Sequence, residues 1–307
     1  MTPPDAPRAA TRSAHAKLNL ILAVGPPRAG DGFHPICSWF TPVSLADELR
    51  VERLADGAAT SLEISWSPDA PRPSPIDWPL EKDLAQRAHA LLEREVGTPL
   101  PVRATLRKRV PIGGGLGGGS SDAAAMLLAL RDLFGLEITT PRLARLGSRL
   151  GSDIPFFVRN ALTPALVEGV GEVVTPLPAL EAFAVLIIPP FGTPTGPVYA
   201  AFDRAGPAPL VRRERVESVA STGTVRDEAL FNDLAAAAEA VEPRLAELRR
   251  RAAELGGSPV HITGSGSTMF ALASSAAQAR GLAERLSGRL PECACLPVAL
   301  SAAPVSF

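Results

Sequence analysis

The sequence predicts an α+β protein built in two halves, and three observations carry that reading. Short runs of alternating apolar residues are interleaved with runs of helical spacing. A glycine-rich segment joins one such strand directly to an apolar helix. Near residue 160 the texture changes to a continuous apolar run followed by a charged excursion. A chain of 307 residues has room for two domains at roughly 150 residues each, and the division is expected at 1–165 and 166–307.

Taken in order, Met1–Ala14 is rich in Pro, Ala and Arg, lacks an apolar stretch of signal-peptide type, and reads as a frayed leader. Residues 16–24 alternate as a strand, with Leu18, Leu20 and Leu22 expected on one face. The Pro/Gly-rich turn Gly25–Gly32 then leads to a second strand over Phe33–Val43, completing a hairpin. Leu49–Leu54 and Ser61–Trp66 read as further strands, and Pro68–Pro79 as a surface loop. Leu84–Val96 has helical spacing and Gly97 beyond its end. In Val102–Val110, Val102, Ala104 and Leu106 alternate against Arg103, Thr105 and Arg107, the pattern of a half-buried strand.

Ser121–Phe134 is apolar nearly all round and predicts a buried helix stopped by Gly135. Thr140 and Pro141 read as cap and first residue of another helix, with Leu143, Leu146 and Leu150 inward. Ala182–Ile188 is a buried strand and Arg204–Glu228 a charged, weakly periodic excursion. Leu234–Leu255 is a long helix interrupted at Pro243. Val260–Leu272 is a strand broken at Gly264 and Gly266, Ala276–Leu290 a helix, and Ala294–Leu300 a closing strand.

Composition narrows the function classes. With 46% hydrophobic and 21% charged residues and a formal net charge of −1, the chain has neither the bias of a disordered protein nor a global basic footprint for nucleic acid. Its longest apolar stretch, Ala123–Leu130, is far short of the about 20 residues needed to cross a bilayer. Cys37, Cys293 and Cys295 form neither a disulfide framework nor a zinc-ligand spacing, which fits reduced thiols in the cytoplasm. Among 31 basic residues only Lys17, Lys82 and Lys108 are lysines, which makes each a candidate where chemistry needs a compact ammonium. In Arg107-Lys108-Arg109 the favoured reading is a solvated strand face.

The strongest motif is Pro111-Ile112-Gly113-Gly114-Gly115-Leu116-Gly117-Gly118-Gly119-Ser120-Ser121. Its glycines leave backbone N–H groups free to close on a ligand, and the following helix points its N-terminus at the same place, so phosphate is the natural occupant. Gly113, Gly115 and Gly118 satisfy G-x-G-x-x-G, but a second helix follows where a dinucleotide fold needs a strand. No lysine precedes Ser120, which excludes a Walker A loop.

This segment resembles the phosphate loop of the GHMP kinases (galactokinase, homoserine kinase, mevalonate kinase and their relatives). Ala14–Asn19 resembles the family's N-terminal strand, and Val260–Ala271, with Thr263-Gly264-Ser265-Gly266-Ser267, its C-terminal glycine loop. The resemblance implies a two-domain GHMP kinase fold, with a ribosomal protein S5 domain 2-like N-terminal domain and a ferredoxin-like C-terminal domain. It also implies ATP with Mg2+, and an active site in the cleft between the domains. Lys17-Leu18-Asn19-Leu20, Asp31-Gly32-Phe33-His34, Gly151–Phe157 and Phe231-Asn232-Asp233-Leu234 are most similar to the branch whose alcohol substrate carries a cytidylyl group.

On that resemblance Asp153 takes the hydroxyl proton and Lys17 is its cationic partner. Asn19, Phe33, His34 and Tyr199 contact the cytidylylated substrate, with the base between Phe33 and Tyr199 and His34 at its edge. The family usually has tyrosine where Phe33 stands. The Mg2+ ligands are open, with Ser120 or Ser121 as contributors. His15 and His261 are read as structural. Another GHMP enzyme, of mevalonate or homoserine type, and a non-catalytic nucleotide-binding protein on the same fold remain alternatives. No nucleic-acid or membrane partner is expected, and the oligomeric state is open.

Overall fold

The computed structural model describes residues 8–160, 163–206, 208 and 211–302. Strand β1 (Ala9–Val24) is the spine of the first sheet, pairing antiparallel with β2 (Ile36–Arg53) from Ala9↔Glu52 to Val24↔Ile36. The hairpin is longer than the alternation suggested. Ala9–Ala14 are strand rather than frayed leader, while residues 1–7 of that leader lie outside the described residues, and Leu49–Arg53 continue β2 instead of forming a separate strand.

Register shifts fall between His15 and Lys17 and between Asn19 and Ile21. A bulge changes which face a side chain takes. Leu18 and Leu20 therefore pack with Ile21 and Ala23 in one cluster, while Leu22 joins Val24 in another. The expectation that Leu18, Leu20 and Leu22 share a face fails because the second bulge resets the alternation.

The order continues with β3 (Ser61–Trp66), α1 (Leu84–Val96) and β4 (Val102–Lys108), then α2 (Gly118–Leu133), α3 (Thr140–Ser148) and α4 (Ile154–Asn160). Asp83 caps α1 by accepting from Ala85 N at 2.8 Å and Gln86 N at 3.4 Å, and Gly97 closes it at φ 71°. In α3 the cap is Thr139, one residue earlier than expected, accepting from Arg142 N at 3.4 Å. Helix α2 starts at Gly118, three residues before Ser121, because the glycine loop itself supplies its first turn.

The chain then forms β5 (Ala165–Gly169), β6 (Val173–Pro176), β7 (Phe183–Ile188), α5 (Thr195–Arg204), α6 (Arg213–Ala220) and β8 (Phe231–Asn232). It ends with α7 (Ala235–Val241), α8 (Pro243–Gly256), β9 (His261–Ile262), β10 (Met269–Ala273), α9 (Ala276–Arg289) and β11 (Ala294–Ala299). Among the described residues one seven-stranded sheet runs β3-β4-β2-β1-β8, with β5 on β2 and β6 on β5, and a four-stranded sheet runs β11-β7-β10-β9. Residue 165, at the expected division, opens β5, which joins the first sheet. The excursion 204–228 holds α6, whose Val216 and Ala220 are buried; residues 207, 209 and 210 lie outside the described set.

Three apolar clusters show the layering. The first lies between α1–α4 and the first sheet. In the second, Leu18 and Leu20 of β1 meet Ala184, Leu186 and Ile188 of β7, so the two sheets share it. In the third, Val185 and Ile187, on the other face of β7, meet α7, α8 and α9. A strand buried on both faces reads as a continuous apolar run, as Ala182–Ile188 does.

Candidate active site

The bulges in β1 bracket Lys17 and Asn19. Lys17 Nζ donates to Asn19 Oδ1 at 2.7 Å, lies 3.5 Å from Asp153 Oδ2, and sits 4.8 Å from the centroid of the Phe40 ring. The lysine side chain is 5% exposed and the Asp153 side chain 25%, so the pair is largely withdrawn from screening solvent and one end opens to the cavity. Asp153 immediately precedes α4, whose buried Ile154, Phe156 and Phe157 anchor it.

Asn19 is engaged on both sides. Its Nδ2 donates to Ser38 Oγ at 3.0 Å and its Oδ1 also accepts from Thr263 Oγ1 at 3.4 Å, while its backbone N–H donates to Thr263 Oγ1 at 2.9 Å. That network fixes where Lys17 points.

The glycine loop lies beside the pair. Lys17 N–H donates to Leu116 O at 2.9 Å, and Thr268 N–H donates to Gly114 O at 3.2 Å, so the loop is stitched to β1 on one side and to the second glycine loop on the other. Gly115, at φ 77°, approaches that second loop so closely that a Cβ would stand 2.8 Å from Gly266 O. Gly117, at φ 72°, ends the loop as the cap of α2, and a Cβ there would press on Lys17 and Phe157 at 3.1 Å. The second loop is held by Asn232, whose Nδ2 donates to Ile262 O at 2.8 Å and Gly264 O at 2.7 Å. Asp233 accepts from Val24 N at 3.0 Å and from Arg212 at 2.6 Å.

Two cavities meet at this loop. One, of about 560 Å³, is lined by Lys17, Asn19, Phe33, His34, Phe40, Gly115, Gly117, Asp153, Tyr199 and Asp203 among others. The other, of about 580 Å³, is lined by Gly113–Ser120 together with Trp78, Lys82, Lys108 and Asp122. Ser121 instead lines a separate cavity with His15 and Phe157, on the far side of the first turn of α2.

The aromatic end of the first cavity is ordered around His34. Its Nδ1–H donates to Gly25 O at 2.8 Å and its ring lies 5.1 Å from that of Tyr199. That bond leaves Nε2 as the atom turned to Asp203 Oδ1, at 3.4 Å. Phe33 stands at the rim, 63% exposed. Burial, with a smaller contribution from Asp153, pushes the Tyr199 phenol up to about 12, so it stays neutral at physiological pH.

Asp203 lies in no motif of the sequence. Lys108 departs from the expectation. Far from a solvated face, it is 3% exposed and donates to Asp47 Oδ2 at 2.5 Å and Asp122 Oδ2 at 2.6 Å. Its place in the alternation Val102, Ala104, Leu106 was the signal for burial. Burial works against its ammonium, but Asp122 and Asp47 outweigh that and hold its pKa above the ordinary value. Burial pushes the Asp122 carboxyl well above the usual carboxylate range. Burial lowers the His15 imidazole, against a bond from its ring to Val43 O at 2.9 Å, and His261 pairs with Asp227 at 2.7 Å.

The model of the GHMP kinases N-terminal domain matches residues 83–160 and that of the C-terminal domain residues 219–292. The 4-diphosphocytidyl-2-C-methyl-D-erythritol kinase of Moorella thermoacetica is 36% identical over 290 residues, covering 92% of this chain and 96% of that protein. The chain belongs to the GHMP kinase family. The enzyme of the same name from Thermobifida fusca is 38% identical, covering 92% of both chains.

Among solved structures, this GHMP kinase is similar to a 4-(cytidine 5'-diphospho)-2C-methyl-D-erythritol kinase at 35% identity and a TM-score of 0.73, over 94% of this chain and 99% of that one. A homoserine kinase from Cytophaga hutchinsonii shares the fold at 16% identity and a TM-score of 0.68, over 97% and 96% of the two chains. The expected two-domain GHMP kinase fold is thereby established.

Proposed function

We propose that this GHMP kinase transfers the γ-phosphoryl group of ATP to the 2-hydroxyl of 4-diphosphocytidyl-2-C-methyl-D-erythritol, a step of non-mevalonate isoprenoid precursor biosynthesis. The observation that carries the reading is the Lys17–Asp153 pair at 3.5 Å, in one cavity with Phe33, His34 and Tyr199 and opening onto Gly115 and Gly117. The relatives' names point to the same substrate.

In this reading the glycine loop and the N-terminus of α2 hold the triphosphate. Asp153 accepts the proton of the substrate hydroxyl, whose oxygen bonds to the γ-phosphorus as the bond to the ADP oxygen breaks. Lys17, fixed by Asn19 and the Phe40 face, balances the negative charge gathering on the transferring group, which is most of what phosphoryl transfer asks of a protein. Phe33 and Tyr199 offer aromatic faces to the cytosine. At the base's edge, His34 presents Nε2 because its Nδ1–H is committed to Gly25 O.

Among the described residues no group of three or more His, Cys, Asp or Glu could hold a metal ion. In this reading Mg2+ arrives with the nucleotide phosphates, where it would shield their charge. Ser120, which lines the loop-side cavity, is the hydroxyl placed to contribute; Ser121 lies on the other face. We place the reaction in the cytoplasm. In support, all three cysteines are free. No helix among the described residues is long and apolar enough to cross a membrane.

The test is a side-by-side assay of ATP consumption and product mass with the cytidylylated erythritol, mevalonate and homoserine. Phosphorylation of the first alone is expected, and preference for either of the others contradicts the reading.

A further inference from the structure

The bridge Asp47–Lys108–Asp122 is buried at the base of the glycine loop, and Lys108 and Asp122 also border the loop-side cavity. The three residues are 1%, 3% and 3% exposed. Asp47, on β2, accepts from Lys108 Nζ at 2.5 Å and, through its other oxygen, from the backbone N–H of Val110 at 2.7 Å and that of Arg109. Lys108 closes β4, and its ammonium reaches on to Asp122 Oδ2 at 2.6 Å, in the first turns of α2. The strand that enters the loop and the helix that leaves it are therefore tied to one ammonium. A Cβ on Gly118 would stand 2.9 Å from Val110 Cγ1, so the first turn of α2 packs tightly on the end of β4, with Asp47 Oδ2 in ordinary contact at 3.8 Å. Asp122 Oδ1 is buried without a hydrogen-bond partner.

A buried charge cluster is costly to keep. An apolar trio of similar volume would serve stability as well or better, so stability alone is weak grounds for its presence.

We propose that Asp122, acting through Lys108 and Asp47, is a positioning residue for ATP: the bridge sets the gap between β4 and α2, and that gap sets the affinity of the loop for the nucleotide triphosphate. The inference rests on the reading of the loop as an ATP site and adds to it a residue at the loop's base that acts by spacing β4 from α2. The cavity of Lys17, Asp153 and Tyr199 contains none of the three bridge residues, so nucleotide binding is where the effect should be largest.

The test separates length from charge at one position. Asp122→Asn keeps the length of the side chain and an oxygen for Lys108, whereas Asp122→Glu keeps the carboxyl group and lengthens the bridge by one methylene. Kd for ATP by calorimetry, KM for both substrates, kcat and Tm are measured for each variant and for wild type. Expected for Asp122→Glu is a loss of ATP affinity of about tenfold or more, with KM for the cytidylylated alcohol and kcat at saturating ATP within about threefold of wild type. Asp122→Asn is expected to retain ATP affinity within about threefold, whatever its Tm. An Asn variant that loses ATP affinity while the Glu variant keeps it overturns the proposal, because charge and not spacing then matters. So does a pair of variants that change only Tm or only kcat. Should Asp122→Glu fail to fold, Asp122→Asn decides alone, and a tenfold loss of ATP affinity in it overturns the proposal. A wild-type protein that binds no ATP overturns the loop assignment as well, which distinguishes the two failures.

Discussion

At the scale of single residues the account turns on Lys17 and Asp153. Asp153→Asn keeps shape but cannot take a proton, and should cut kcat by about 10²–10⁴ while leaving ATP binding nearly unchanged. Lys17→Ala should do comparable damage, because it also leaves Asn19 Oδ1 without the ammonium donor it now has. Rapid-quench measurement of the chemical step checks both; an Asn variant that keeps a third of the wild-type rate moves the base elsewhere. These two residues were legible because they sit in local motifs, Ala-Lys-Leu-Asn and Gly-Ser-Asp-Ile-Pro-Phe-Phe. Asp203 was not, since its one distinction is a distance of 3.4 Å to a histidine far away in sequence. Lys108 shows the opposite failure: the alternation in β4 placed it inward, and the flanking arginines outweighed that signal.

At the scale of elements, the glycine loop is readable in the sequence as glycines between a strand and an apolar helix, and its conformation depends on them unevenly. Gly117 has φ 72°, which a β-branched residue strongly disfavours, and its absent side chain leaves room for Lys17 and Phe157. Gly117→Val should therefore abolish ATP binding while the rest of the chain folds, as a binding titration alongside circular dichroism would show. Gly118 lies within α2, and valine there would fail for a different reason, collision with Val110 at 2.9 Å. Helices α4 and α5 escaped the sequence reading. The seven residues of α4 are too few to show a period, and α5 carries Gly196 and Pro197 in its first turn, where they read as a loop. Strands β5 and β6 are short and follow no turn motif that marked them.

At the scale of the whole molecule, the two sheets are joined by more than packing. β8 pairs in parallel with β1 through Ile21↔Phe231 and Leu22↔Asn232, beside the strand segment that carries Lys17 and Asn19. Phe231-Asn232-Asp233-Leu234, a motif of the sequence, supplies that join. Asn232 ties the second glycine loop, and Asp233 ties the end of β1. Asn232→Ala should leave Ile262 O and Gly264 O without that donor, at about 1–3 kcal/mol of stability. Because that loop supports Gly114 and Gly115, the same variant should raise KM for ATP; thermal unfolding and initial rates read the two effects separately.

In the proposed function it is the aromatic end of the cavity, with Phe33, His34 and Tyr199, that selects a cytidylylated alcohol. Tyr199→Ala should weaken the cytidylylated substrate by about 1–3 kcal/mol, mainly in KM. The most direct test of the account compares kcat/KM for the cytidylylated erythritol with that for the uncytidylylated erythritol phosphate, in wild type and in Tyr199→Ala. Strong discrimination by the wild-type enzyme, narrowed in the variant, is the predicted result; equal turnover of both compounds by the wild type would contradict it.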